Sequence, residues 1–129
     1  MSKTLYTNKW ARPDTCTALA FLTTRVREPN KYEWGKLVHI INYIRGTRDI
    51  TLILSATGSG FLKWFIDESY EVHPNIRGHT CGILSMGRGF PIVTSTKQKL
   101  NTRSSTESYI FGFHDCMMAV LWKRYFMED

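Results

Sequence analysis

The stretch Phe61-Leu62-Lys63-Trp64-Phe65-Ile66-Asp67 follows the turn-forming Gly58-Ser59-Gly60 and is rich in aromatic and apolar residues with only two charges. That composition reads as a β-strand entered from a turn. Upstream, Ile50-Thr51-Leu52-Ile53-Leu54 is short and β-branched and reads as another strand. Downstream, a loop marked by Pro74, Asn75 and Gly78 leads to strand-like residues 79–86 and 90–95. These flank Gly87-Arg88-Gly89, a hairpin-turn signal. The middle of the chain is therefore expected to form three or four antiparallel strands.

Helices bracket this region. Pro13 suits a first helical turn, Asp14 favours the positive end of the helix dipole, and Leu19, Leu22 and Val26 recur at helical spacing until Pro29. A helix is expected over residues 13–28. Asn30 and Glu33 make a capping-box pair for a second helix, whose apolar stripe is Trp34, Leu37, Val38, Ile41 and Ile44 before Gly46. The two should pack as a helical hairpin. A last helix is expected over residues 104–125, with Ile110, Phe113, Met117, Leu121 and Tyr125 as its buried stripe. Helices, then strands, then a helix define an α+β class.

Composition narrows the setting. The 129 residues carry 17 basic and 11 acidic side chains, a formal charge of +6, and 43% hydrophobic residues. The chain is too apolar to be disordered, and its longest apolar run, Ala18-Leu19-Ala20-Phe21-Leu22, is far too short for a membrane span. No membrane association is expected. Cys16, Cys81 and Cys116 are an odd, scattered set. With no apolar leader visible, they favour an intracellular, cytoplasmic or nuclear location. Arg88, Lys97, Lys99 and Arg103 form an acid-free stretch that would suit weak, salt-dependent contact with nucleic acid.

Several motifs together resemble a known family. Ala11-Arg12-Pro13-Asp14, Trp34 and Tyr43-Ile44-Arg45-Gly46-Thr47 are similar to the segment after the polymerase palm in copia-type (Ty1/copia) retrotransposon polyproteins. Phe65-Ile66-Asp67, Arg77-Gly78-His79-Thr80, Ser85-Met86-Gly87-Arg88-Gly89, the run from Lys97 to Glu107, and Leu121-Trp122 resemble the RNase H region that follows. The resemblance implies two parts: residues 1–48 as a helical hairpin from the end of the reverse transcriptase, and residues 49–129 as a truncated, partial RNase H-like domain. It implies a magnesium-dependent cleavage of RNA in RNA–DNA hybrids, with the remainder of the polyprotein as a partner.

The same resemblance places Asp67 as a catalytic and metal-binding carboxylate. Two-metal hydrolysis needs several carboxylates converging on two ions. The family's second ligand falls on Tyr109, which has no anionic oxygen at neutral pH. Glu107 stands three residues after Ser104, the spacing of a helix cap. Asp115 lies about 240° further round the helix than Tyr109. The third carboxylate belongs to a strand beyond Asp129. The expectation is therefore a retrotransposon fragment without catalysis. The alternatives are a non-catalytic nucleic-acid-binding module and an RNase H completed by a further segment. His79 with Cys81, and His114 with Cys116, lack the spacing of a structural zinc site. One further expectation concerns the strand 61–67: one of its edges should be left unpaired unless residues 50–54 cover it.

Overall fold

The structure is a computed structural model, and it describes residues 2–58 and 61–128. Of the turn expected at Gly58-Ser59-Gly60, Ser59 and Gly60 lie outside the described residues, while Gly58 has φ +68°. The chain divides into two compact units, Met1–Ile53 and Leu54–Asp129. Together they bear out the α+β class.

The first unit holds α1 (Ser2–Trp10), a 3₁₀ turn (Pro13–Thr15), α2 (Cys16–Thr23) and α3 (Lys31–Gly46). Its core is Leu19, Leu22 and Ile40, flanked by Leu37 and Ile44. The face of α3 that packs inward is thus Leu37, Ile40 and Ile44. Trp34, Val38 and Ile41 are exposed, as is Val26. The helix expected over residues 13–28 breaks at both ends. Thr23 and Thr24 turn their Oγ1 hydroxyls to the carbonyls of Ala20 and Phe21, at 2.6 and 2.7 Å, offering the backbone an alternative to continued helix. The Asn30 cap forms as expected: its Oδ1 accepts from the N–H groups of Tyr32 and Glu33, and Glu33 Oε2 accepts from Asn30 N.

Arg12 fastens this unit. Its guanidinium is bidentate on Asp14 (3.0 and 2.7 Å) and donates to both the carbonyl and the hydroxyl of Thr47 at the end of α3. Tyr43 lies under the guanidinium and donates its own hydroxyl to Asp14 Oδ2. Arg12 holds the Asp14 carboxyl below its ordinary range, so the pair's contribution is present at neutral pH and is lost as pH falls through the acid range.

The second unit is a three-stranded antiparallel sheet with a helix on one face. Its strands are β2 (Lys63–Ser69), β3 (His79–Ser85) and β5 (Ile92–Lys97), in the order β2-β3-β5. A separate two-residue ribbon pairs β1 (Ser55–Ala56) with β4 (Gly87–Arg88). Residues 50–54, expected as a strand, form none. β-branched composition describes a fit to a sheet surface, and a strand exists only where a neighbour completes its ladder.

Helix α4 (Ser105–Glu128) crosses the sheet, and its buried residues are Ser108, Gly112 and Cys116. This corrects the expected stripe: Ile110, Phe113 and Tyr125 are exposed, and Met117 and Leu121 are only half-buried. Leu121 stands nine residues past Gly112, about half a turn round the helix. The small residues are required by the closeness of the packing. A Cβ on Gly112 would meet Thr80 Oγ1 at 3.2 Å, and one on Gly82 would meet Cys116 Sγ at 3.0 Å. Gln98 then ties the first turn of α4 to the sheet. Its Nε2 donates to Thr80 Oγ1 (3.1 Å) and to the Ser108 carbonyl (3.0 Å), while its Oε1 accepts from Ser108 Oγ (3.0 Å).

Gly112→Val should therefore destabilise the second unit by about 1–3 kcal/mol, the usual range for overpacking. Ile110→Val on the same helix should change stability by less than about 0.5 kcal/mol, as exposed sites do. Urea unfolding monitored at the tryptophans distinguishes the two.

Candidate functional site

Successive residues of a strand point to opposite faces, so β2 divides its side chains between the helix side and the open side of the sheet. Trp64, Ile66 and Glu68 are half-buried toward α4, whereas Lys63, Phe65, Asp67 and Ser69 are exposed on the other face. Asp67, the carboxylate expected to act in catalysis, stands on that open face opposite Cys81. The acid directed beneath α4 is Glu68. Its Cβ lies near Gly112, and its Oε2 has no hydrogen-bond partner among the described residues. Sequence reasoning passed over Glu68, although alternation from Trp64 was enough to find it.

The other acids are occupied or distant in kind. Glu107 Oε2 accepts from Arg103 N at 2.7 Å, and Ser104 Oγ accepts from Glu107 N at 3.2 Å, so this pair caps α4. The reciprocal bond reaches one residue further back than a standard capping box. Asp115 is exposed on α4. Tyr109 directs its hydroxyl to the Ile66 carbonyl at 3.4 Å. Among the described residues, no three His, Cys, Asp or Glu side chains stand together as a metal-holding group. Since Asp67 and Glu68 face opposite sides of the sheet, these residues do not fit a two-magnesium centre.

The basic residues fall at two places. Arg88 is exposed in β4, before β5, while Lys97 ends β5 and Lys99 and Arg103 follow it. Six residues of strand span roughly 20 Å, which separates Arg88 from the other three.

The structure does assemble a polar chain on the open face. The loop after β2 folds back and brings His73 against His79, with Nε2 and Nδ1 3.0 Å apart. His79 Nε2 lies 2.7 Å from Ser95 Oγ, and Ser95 Oγ lies 3.5 Å from Cys81 Sγ. Both histidines are buried. Burial pushes the His79 imidazole below its ordinary pKa, so it is held neutral, with one ring nitrogen donating and the other accepting. The arrangement satisfies polar groups that strands β3 and β5 would otherwise bury unpaired. It also fastens the loop to the sheet.

Another surface feature is on α4. Ile110 (64% exposed), Met118 (74%), Trp122 (65%), Tyr125 (62%) and Phe126 (67%) are open to solvent. With Met117 and Leu121 they leave this helix apolar on nearly every side. A helix of that kind ordinarily lies in an interior. No helix among the described residues is long and apolar enough to cross a membrane.

The chain is similar to the secreted RxLR effector protein 161 of Plasmopara viticola. The two are 24% identical over 112 residues, covering 86% of this chain and 79% of that protein. No protein-family model matches the chain. No solved structure matches it either, so the fold is described as α+β without an RNase H-like assignment. The similarity to a secreted effector overturns the retrotransposon expectation, including the reverse-transcriptase and RNase H activity implied for a polyprotein fragment. The intracellular placement falls with it, and the similarity lends no support to the alternative of a nucleic-acid-binding module.

Two consequences of the polar networks can be measured. His79 binds a proton in the unfolded chain near pH 6.5 but in the folded chain only at lower pH, so stability is full above about 6.5 and falls as the solution is acidified. Thermal melts from pH 8 to pH 5 should show this decline, and His79→Asn should reduce it. Gln98→Ala leaves Ser108 and Thr80 without their buried partner and should cost about 1–3 kcal/mol, read from urea midpoints.

Proposed function

We propose that the chain is a secreted, effector-like binding protein that works by docking the outer face of α4 onto a protein surface. The observation that carries this is the row Ile110, Met117, Met118, Leu121 and Tyr125, which points away from the sheet while small residues make the intramolecular contact. Large contiguous apolar patches on soluble proteins mark interaction sites. Aromatic and methionine side chains are also the residues enriched at protein interfaces. The similarity to a secreted effector supports an extracellular protein that acts on a target.

The test has two readouts. An antibody against the purified chain should find it in the culture medium of the organism that produces it; recovery only within cells would overturn the secreted part of the reading. Leu121→Glu combined with Tyr125→Glu should leave the circular dichroism spectrum unchanged and weaken target binding by at least about tenfold, as expected for loss of a central apolar anchor. A target bound equally well by this variant would remove α4 from the interface.

A further inference from the structure

Strand β2 lies at the border of the sheet, and the hydrogen-bond phase shows which of its backbone groups are left over. Gln98 N donates to Gly78 O, which makes those two residues a hydrogen-bonded pair. In an antiparallel ladder such pairs alternate. With the register His79↔Lys97 to Leu84↔Ile92, Thr80, Gly82 and Leu84 therefore bond to β5. His79, Cys81 and Ile83 turn toward β2 and bond to Ser69, Asp67 and Phe65. The N–H and C=O groups of Trp64, Ile66 and Glu68 consequently point outward along a free edge. The Tyr109 hydroxyl, 3.4 Å from Ile66 O, is the one group recorded there among the described residues. An edge of this kind is a template for pairing with another chain.

The side chains on that edge are self-complementary. On the open face β2 reads Lys63, Phe65, Asp67, with all three exposed. We infer that two copies of this chain pair through β2, antiparallel, about a twofold axis at Phe65. This register sets Lys63 of each copy opposite Asp67 of the other, and Phe65 opposite its own counterpart. Opposite charges and aromatic pairs directly across antiparallel strands are both favourable. It also uses the correct backbone groups: Trp64 and Ile66 become the hydrogen-bonded pair, while the three open-face residues fall at the closer, non-bonded positions. A shift of two residues in the pairing would set Phe65 against Asp67 and leave Lys63 against Ser69.

The helix side of the seam fits the same arrangement. Tyr109 reaches the free edge, and Phe113, Val120 and Met127 share its side of α4 at about 100° per residue. Val120 and Met127 line a groove of about 480 Å³ with Leu62 and Trp64. Because α4 rests on β2 more than on β3, the twofold brings these rows of the two copies side by side above the joined sheet. An apolar helix row beside a strand seam adds hydrophobic burial to the backbone pairing. The outer row of α4 remains free, so this dimer does not depend on the proposed docking function.

Sedimentation equilibrium on the full chain at several concentrations reads the result. The wild type should be a concentration-dependent dimer. Lys63→Glu and Asp67→Lys each replace two attractive pairs by two repulsive ones and should weaken it at least about tenfold. The double variant Lys63→Glu/Asp67→Lys restores both pairs and should recover dimerisation to within about threefold of wild type. Phe65→Lys, which sets two like charges at the axis, should be monomeric with an unchanged circular dichroism spectrum. A wild type that stays monomeric at every concentration would overturn the inference. So would a dimer indifferent to Phe65→Lys, or a double variant no better than the singles.

Discussion

The closeness with which α4 lies on its sheet governs the second unit. Helix and strands approach so closely that a Cβ on Gly112 would crowd Thr80 and one on Gly82 would crowd the Cys116 sulfur. At that distance small residues, here Ser108, Gly112 and Cys116, make the contact. Large apolar side chains are then displaced to the flanks and the outer side of the helix. Its hydrophobic surface is thus a geometric result of tight packing, and any docking role grows out of that packing.

Local signals were legible and distant ones were not. The Asn30–Glu33 cap, the Ser104–Glu107 cap and the α+β order could all be read, because each depends on residues within a few positions of one another. The core of the first unit was half legible. Leu19 and Leu22 were identified, but Ile40 was hidden among five apolar neighbours on α3, and only packing against α2 selects among them. The buried face of α4 was misread because large apolar residues usually mark a core, and here Gly112 on the helix and Gly82 on the neighbouring strand reversed that rule. The strand expected at residues 50–54 failed for want of a pairing partner, which composition does not record.

The open face of the sheet is organised around polar groups instead. A neutral His79 joins His73, Ser95 and Cys81 into one hydrogen-bonded line, and that line holds a loop carrying the positive-φ residue Ile76. A β-branched side chain in that region of backbone space is costly. The loop keeps this conformation because the buried contacts at its ends over-determine it. Asp67 stands at the margin of this region, opposite Cys81, and its neighbours suit a surface or pairing role better than metal ligation.

The position of Cys116 makes it a built-in reporter. Its thiol faces Gly82 beneath α4, and burial raises its pKa, so little thiolate is present at neutral pH. A thiol reagent reaches that sulfur only when the helix lifts from the sheet, whereas Cys16 and Cys81 are half-buried in the closed state. The slow phase of alkylation is then a clock for helix opening, and its rate under native conditions measures how often this packing yields without global unfolding. The same shielding protects the Cys116 sulfur from oxidants better than the half-buried Cys81 of the same unit is protected.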